Sequence, residues 1–280
     1  MNTEFTKMHG CGNDYIYVDC TGGMPEDASG LAVRWSDRRF GIGGDGVILI
    51  CASDCADFRM VMYNADGSTG AMCGNGIRCV GKFVYDKGLT DKTELEIETA
   101  SGIKQLKLSV AEDGKVNFVR VDMGVPETAA ESIPVSGLGE SVIGRDVDIA
   151  GRTWNMTCVS MGNPHAVVLT EDPAALDLEK TGPVFENSEF FPDRVNTEFV
   201  RVLNKKELSM RVWERGSGET LACGTGACAC AYAAFINGLS ENAVTVHLRG
   251  GDLLVEYNEV SGHIFLTGPA VIVFEGKIEL

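Results

Sequence analysis

The chain lacks the features that mark membrane proteins, exported proteins and polyanion-binding proteins. Its longest uninterrupted apolar run, Ala227 to Ile236, is far shorter than the ~20 residues that span a bilayer. The N-terminal segment contains neither the basic nor the apolar region of a signal peptide. The 24 basic residues are outnumbered by 40 acidic ones, and the net charge of −16 repels phosphate backbones and anionic lipid. We therefore expect a cytoplasmic protein with neither a nucleic-acid nor a membrane partner.

Histidine is scarce, and the cysteines are poorly spaced for metal binding. The four histidines are dispersed, and Cys51 with Cys55, or Cys228 with Cys230, would make a poor zinc pair. Ten cysteines could form a disulfide framework, but the chain is large and the cysteines are irregularly placed. We expect no metal, and we expect most of these thiols to be small buried apolar side chains.

An internal repeat is the most informative feature that is present. Cys73-Gly74-Asn75-Gly76 recurs as Cys223-Gly224-Thr225-Gly226, at an offset of 150 residues. The same offset aligns several other positions: Gly12-Asn13 with Gly162-Asn163, Val18 with Val168, Phe40 with Phe190, Met60 with Met210, and 88–91 with 238–241. The chain therefore reads as two copies of one domain, each with one cysteine at the same place.

The pattern around each motif predicts strands and one helix. Alternating segments such as Asp57 to Asn64 and Leu208 to Glu214 lead into the motifs as strands. Helical spacing follows each motif, and Gly88 and Gly238 are natural helix ends. The helix 227–237 is apolar on all sides, which predicts that it is buried. The segment 125–149, with its prolines and glycines, is predicted to connect the copies.

A cysteine directly before a helix has its sulfur near free backbone N–H groups and the positive end of the helix dipole, which favours the thiolate. The adjacent glycines open the same N–H groups to an anion such as a carboxylate. Two such thiols around one ligand could invert an α-carbon, one removing a proton and the other delivering one from the opposite face. In principle this chemistry needs no pyridoxal phosphate.

The two copies differ where an asymmetric substrate would need them to differ. Asn64 corresponds to Glu214, and Ala65 corresponds to Arg215. Glu214 supplies an acceptor carboxylate and Arg215 a potential bidentate clamp for a carboxylate. Four asparagines supply uncharged hydrogen-bonding groups: Asn13, Asn64, Asn163 and Asn196. This set suits a ligand with a second amino-acid end.

These motifs resemble the signature of the diaminopimelate epimerase family over nearly the whole chain. The first half matches through Gly12-Asn13-Asp14, Asn64-Ala65-Asp66-Gly67-Ser68, 73–76 and Arg78. The second half matches through Gly162-Asn163-Pro164-His165, Glu214-Arg215-Gly216, Gly218-Glu219-Thr220 and 222–226. One departure is Gly46, because some family members carry Gln there. No substrate contact is therefore expected from that position.

The resemblance implies an α+β fold with two homologous domains, each a mixed β-barrel around a central helix, and an active site in the cleft between them. The expected domains are 1–123 plus 268–280, carrying Cys73, and 124–267, carrying Cys223. The implied activity is the cofactor-independent interconversion of LL- and meso-diaminopimelate, in lysine and peptidoglycan precursor synthesis. The implied partners are a small amino-acid substrate and a second copy of the chain in a homodimer.

By the same resemblance, Cys73 and Cys223 are the acid/base pair. The reacting carboxylate would be bound by Gly74, Asn75, Gly224 and Thr225. The rest of the substrate would be held by Asn13, Asn64, Asn163, Asn196, Glu214 and Arg215, with His165 in support.

Several of these residues also have plain structural interpretations. Asn64 and Asn196 could be turn residues, His165 a buried hydrogen-bonded histidine, and Arg215 a surface cation. Two other functional classes also stay open. One is a proline or hydroxyproline racemase or a phenazine-type isomerase on the same fold, and the other is a thiol-based redox or metal-binding protein.

Overall fold

The computed structural model describes residues 2–279, which divide into two compact units. Unit 1 comprises the described residues up to Asp122 and from Thr267 onward, and unit 2 runs from Met123 to Leu266. Within residues 2–279, no helix has the length and apolar character needed to cross a membrane.

The first part of unit 1 contains two helices and most of its strands. In chain order these are β1 (Asn2–Gly10), β2 (Asn13–Cys20), α1 (Ala28–Ser36), β3 (Gly46–Cys51), β4 (Phe58–Asn64), β5 (Thr69–Gly70), α2 (Gly74–Asp86), β6 (Glu94–Thr99), β7 (Gly102–Val110) and β8 (Val116–Gly124).

The remaining elements follow the same plan, and the last strand returns to unit 1. They are β9 (Arg145–Ile149), β10 (Arg152–Ser160), β11 (Pro164–Leu169), α3 (Leu178–Glu186), β12 (Asn196–Asn204), β13 (Glu207–Glu214), β14 (Gly218–Thr220), α4 (Gly224–Ile236), β15 (Ala243–Leu248), β16 (Gly251–Tyr257), β17 (Ile264–Pro269) and β18 (Val271–Glu279). Two 3-10 turns lie at Ala130–Ser132 and Pro173–Ala175.

Strand pairing repeats from one unit to the other. In unit 1, β1 pairs antiparallel with β2, β2 parallel with β3, β3 antiparallel with β4, β4 parallel with β6, and β6 antiparallel with β7. In unit 2, β10, β11, β12, β13, β15 and β16 pair in the same order and with the same directions. The predicted α+β fold with a duplicated domain is confirmed.

Each unit packs its mixed sheet against one central helix. Helix α2 contacts β1, β2 and β7, and helix α4 contacts strands from β10 through β16. The prediction of a buried helix after the second motif is confirmed, because nine residues of α4 are buried, five of them alanines. Small side chains let the surrounding strands approach the helix closely.

Both central helices begin and end as their sequences predict. Cys73 and Cys223 are the N-cap residues of α2 and α4, with extended backbones and side chains that accept a first-turn N–H. Gly88 and Gly238 follow the helices with φ values of 73° and 68°, a conformation that favours glycine.

The structure corrects the interpretation of residues 125–149 as a connection between copies. This segment contributes Ile133, Leu138 and Val142 to the hydrophobic core of unit 2, and its strand β9 pairs antiparallel with β10. Prolines and glycines therefore mark turns within a folded region here, and not a linker.

Candidate active site

The first thiol lies at the start of α2 and contacts a predicted site residue. The N–H of Gly76 donates to Cys73 Sγ at 3.3 Å, and Cys73 Sγ donates to Asn13 Oδ1 at 3.2 Å. Cys73 is half-buried. A sulfur that accepts a first-turn N–H is stabilised as a thiolate when its own proton leaves.

Asn13 is held in place by an ionic cluster that sequence reasoning missed. Asn13 Nδ2 donates to Asp45 Oδ2 at 2.8 Å, and Arg38 bonds both Asp45 and Asp14. Burial raises the pKa of Asp14, but hydrogen bonds from Arg38 and Lys7 outweigh it and lower that pKa. The cluster keeps the Asn13 amide oxygen directed at Cys73. A motif of Gly-Asn-Asp gives no sign of the lysine and arginine that complete it.

The carboxylate-binding candidates after Cys73 are held by a fully buried arginine. Arg78 donates from Nη1 to Gly74 O and from Nη2 to Asn75 Oδ1, each at 2.9 Å. Its Nε donates to Pro269 O at 3.3 Å. The sequence motif includes Arg78 but assigns it no role. Its position three residues after Asn75, about one helical turn further on, was the signal that it could contact Asn75.

Asn64 ends β4 and closes a turn. Its Nδ2 donates to Ser68 Oγ at 3.0 Å, and its backbone N–H donates to Ser68 O at 2.8 Å. The structure therefore gives Asn64 the turn role that its residue type permits. Ligand contact from this half-buried side chain stays a prediction.

The second thiol is more buried and lies among carboxylates. The N–H of Gly226 donates to Cys223 Sγ at 3.3 Å, and Thr225 Oγ1 lies 3.5 Å from the same sulfur. Burial raises the pKa of Cys223 well above its ordinary value, and the negative charges of Glu214 and Glu198 raise it further. Cys223 is therefore a thiol near neutral pH.

The side chains of Glu214 and Arg215 have separate hydrogen-bond partners in the structure. Thr220 Oγ1 donates to Glu214 Oε1, and burial raises the pKa of Glu214. Arg215 Nη1 donates to Asp193 O at 3.0 Å, and its side chain is exposed. The backbone N–H of Arg215 donates to Asn196 Oδ1 at 3.0 Å, so buried Asn196 supports the loop that carries Arg215.

Asn163, His165 and Thr225 form a connected network at Cys223. His165 is fully buried, with Nε2 3.0 Å from Asn163 Oδ1 and Nδ1 2.7 Å from Glu198 Oε1. Asn163 Nδ2 donates to Thr225 Oγ1 at 3.3 Å. Glu198 was missed from the sequence because nothing along β12 marks its carboxylate as buried, and buried carboxylates are uncommon.

Most of the remaining cysteines are buried as predicted, and Cys55 is exposed. The seven buried ones, none of which is in a disulfide, are Cys11, Cys20, Cys51, Cys79, Cys158, Cys228 and Cys230. Burial raises the pKa of Cys79 to about 11 and that of Cys158 to about 12, which keeps both protonated and unreactive. Among residues 2–279, no three His, Cys, Asp or Glu side chains are grouped to hold a metal ion.

Solved structures of other proteins share this fold. The chain aligns over 99% of its length, and 93% of the other's, with a probable proline racemase from Agrobacterium radiobacter, at a TM-score of 0.72 and 17% identity. It aligns over all of both chains with a phenazine biosynthesis protein of the PhzF family from Bacillus anthracis, at a TM-score of 0.69 and 20% identity. At these identities the likeness shows the fold alone.

The fold, the N-cap thiol in each copy and the similarity to known sequences together define the class: the chain is an epimerase, an enzyme of the isomerase group. The sequence profile of the family described as diaminopimelate epimerase matches residues 5–129 and 157–273, so the chain belongs to that family. Diaminopimelate epimerases from Agathobacter rectalis and Acetivibrio thermocellus are 55% and 54% identical to it, each over 99% of both chains. One from Methanococcus maripaludis strain C5 is 53% identical over 99% of this chain and all of its own.

Proposed function

We propose that the chain interconverts LL- and meso-diaminopimelate by proton exchange at one α-carbon, with Cys73 and Cys223 as the two acid/base residues. The observation that carries the proposal is that each copy places one cysteine at the N-cap of its central helix, with the sulfur accepting a backbone N–H. The names of the relatives supply the substrate. The family resemblance supplies the proposed place in lysine and peptidoglycan precursor synthesis.

The two thiols are prepared differently for the two halves of the reaction. Burial and the nearby carboxylates keep the pKa of Cys223 high, which suits it to deliver a proton. Half-buried Cys73 would then remove the α-proton as a thiolate, with the N–H of Gly76 stabilising its charge. The reverse reaction exchanges the two roles.

The carbanion that forms places negative charge on the α-carboxylate. The backbone N–H groups at the starts of α2 and α4 are the donors proposed to stabilise it, at Gly74, Asn75, Gly224 and Thr225. Because these donors are fixed before the reaction begins, no cofactor is needed as an electron sink. Asn13, Asn64, Asn163, Asn196, Glu214 and Arg215 would bind the remainder of the substrate.

Single substitution of each thiol tests this assignment. Cys73→Ser and Cys223→Ser should each lower epimerisation of LL-diaminopimelate by about 100- to 10,000-fold, because a hydroxyl is a far weaker acid than a thiol. Product would be followed by chiral chromatography without added pyridoxal phosphate. Cys55→Ser is the control, since Cys55 is exposed and outside the site. Full turnover by either site variant would reject the assignment, as would a requirement for added cofactor.

The assembly and location belong to the same proposal. We expect a homodimer in the cytoplasm, on the strength of the family resemblance. Light scattering on the purified full chain of 30.0 kDa gives the assembly directly. A measured mass of one chain across the working concentration range would contradict the proposed dimer but would not affect the proposed chemistry.

A further inference from the structure

Glu198 is a buried carboxyl group that the proposed chemistry does not yet use. It lies in β12 with no exposed surface, and Oε1 contacts His165 Nδ1 at 2.7 Å. Its second oxygen, Oε2, is buried and has no hydrogen-bond partner among residues 2–279. Burying a carboxyl group with one oxygen unsatisfied costs free energy, so packing alone does not explain this residue.

Strand pairing places Glu198 and His165 on one face of the sheet. In the parallel pair of β11 and β12, His165 lies opposite Asn196, and Val167 lies opposite Glu198. Residues two apart on a strand share a face, so Glu198 and His165 point the same way. The contact between them follows from this register.

The first copy shows that the fold does not need a carboxyl group at this place. The residue equivalent to Glu198 in unit 1 is Ile48, and in the same register Tyr15 replaces His165. A Cβ built on Gly76 would lie 2.7 Å from Ile48 Cδ1, and one built on Gly226 would lie 2.6 Å from Glu198 Oε1. The two side chains occupy equivalent space, and only the second copy carries the polar pair.

The hydrogen bonds that lead from Glu198 to the thiol have a fixed direction. Asn163 Oδ1 can only accept, so the proton in its contact with His165 lies on Nε2. One further proton must then lie between His165 Nδ1 and Glu198 Oε1. With its oxygen bound to His165, Asn163 presents Nδ2 as donor to Thr225 Oγ1, as observed.

The hydrogen bond from Thr225 to the sulfur of Cys223 has the same donor-to-acceptor direction. Because Thr225 Oγ1 accepts from Asn163, its own O–H can donate to Cys223 Sγ at 3.5 Å. A donor hydroxyl stabilises the thiolate that forms when Cys223 delivers its proton. If the His165 ring were flipped so that a nitrogen without a proton faced Asn163, the side-chain amide of Asn163 would flip as well. The Thr225 O–H would then no longer point to the sulfur.

We propose that Glu198 is a positioning residue of the epimerisation site. It holds His165 with Nε2–H directed at Asn163, and through Asn163 it aims the Thr225 hydroxyl at Cys223. The proposal rests on the proposed function of Cys223, and it adds a residue that does not touch the substrate.

Two substitutions at Glu198 distinguish a role in positioning His165 from a role in packing and from an effect of the negative charge. In Glu198→Ile, the residue of the first copy fills the space but gives His165 Nδ1 no partner, and kcat should fall about 100-fold with little change in KM. In Glu198→Gln, the side-chain amide can donate to Nδ1 and preserve the chain, so kcat should stay within about 5-fold of wild type. Thr197→Val is the matched control, because buried Thr197 is the neighbour on β12 and its hydroxyl has no partner among residues 2–279.

A second readout follows the proton itself. With ¹⁵N-labelled histidine, NMR should show His165 carrying a proton on Nε2 in wild type and in Glu198→Gln. In Glu198→Ile it should show a mixture of protonated nitrogens. The His165 signals can be assigned from the spectrum of His165→Gln, and thermal unfolding establishes that each variant is folded.

Different results would overturn the positioning role of Glu198 and the proposed function. Wild-type kcat in folded Glu198→Ile would overturn the proposal, and so would an unchanged His165 spectrum in that variant. Equal losses in Glu198→Ile and Glu198→Gln would assign the effect to negative charge and would also overturn it. Failure of the wild-type protein to epimerise diaminopimelate would instead reject the proposed function, so the two failures are distinguishable.

Discussion

At the scale of single residues, the two N-cap cysteines share a backbone conformation but differ in environment. Both sulfurs accept an N–H from a glycine three residues on, at 3.3 Å. Cys73 is half-buried and bonded to an amide, whereas Cys223 is buried and faces the carboxyl groups of Glu214 and Glu198. Helix geometry is therefore duplicated, and the charges around it are not.

The reactivity of Cys223 toward alkylation should report its raised pKa. Because the thiolate is the nucleophile, iodoacetamide at pH 7 should label exposed Cys55 and half-buried Cys73 before Cys223. Raising the pH should accelerate labelling of Cys223. Replacing Glu214 by Gln removes a charge that raises this pKa, so Cys223 should be labelled faster at pH 8. Mass spectrometry of the labelled peptides measures all three rates, and an unchanged rate in Glu214→Gln would contradict the electrostatic account.

Glu214 should also give stability a defined pH dependence. Burial raises its pKa in the folded state, so its protonated form stabilises the fold fully below pH 4.5, and this contribution is lost as pH rises toward the folded-state pKa. Gln cannot ionise. The free energy of unfolding of Glu214→Gln should therefore improve relative to wild type between pH 4 and pH 7, as measured by urea denaturation. A constant difference across that range would contradict the raised pKa.

The close pairing of β3 and β4 gives a physical reason for glycine at position 46. A Cβ on Gly46 would lie 2.1 Å from Tyr63 O and 3.1 Å from Asn64 Cα on the paired strand β4. Gly46→Ala should cost about 1–3 kcal/mol in the free energy of unfolding, because backbone must move. Gly22→Ala is the control, since no atom lies within 4 Å of its Cβ. Equal stability of the two variants would show that β3 and β4 adjust freely.

At the scale of elements, pattern and capping predict the central helices but not the peripheral ones. Helices α2 and α4 follow cap residues, and each runs for 13 residues, which is more than three turns. Helices α1 and α3 are shorter, and α3 contains both Gly182 and Pro183, which oppose helix formation. Tertiary contacts stabilise α3 instead: Gly182 lies directly against the ring of Trp213. Such contacts are long-range and leave no periodic signal in the sequence.

The first turns of α2 and α4 should respond differently to the same substitution. A Cβ on Gly76 would meet the terminal methyl groups of Ile48 and Met60. A Cβ on Gly226 would meet the carboxyl group of Glu198, which is hydrogen-bonded to His165. Gly76→Ala should be tolerated, since alanine favours a helix by about 1 kcal/mol over glycine. Gly226→Ala should lower kcat about 100-fold by displacing Glu198. Steady-state kinetics on both variants decides, and equal activity would count against a constrained Glu198.

At the scale of the whole molecule, the sequence predicts the duplication of the domain but only part of the divergence between the two copies. A single offset of 150 residues gave the two copies, their strand order and both N-cap thiols, because related sequences preserve glycines and capping residues. The offset also marked Asn64 and Glu214 as a difference. It did not reveal the Asp45 cluster, the Arg78 contacts or the pair of His165 and Glu198. Each depends on side chains brought together from separate strands, which spacing along one chain cannot show.

The most direct measurement of the central claim is deuterium content during early turnover of LL-diaminopimelate in D₂O. If two thiols act on opposite faces, the thiol that removes the α-proton cannot return it to the product. The first meso product should then carry solvent deuterium at the inverted carbon, while unreacted LL substrate stays unlabelled. Product that retains the substrate's α-hydrogen would contradict the account, because it requires one group to serve both faces.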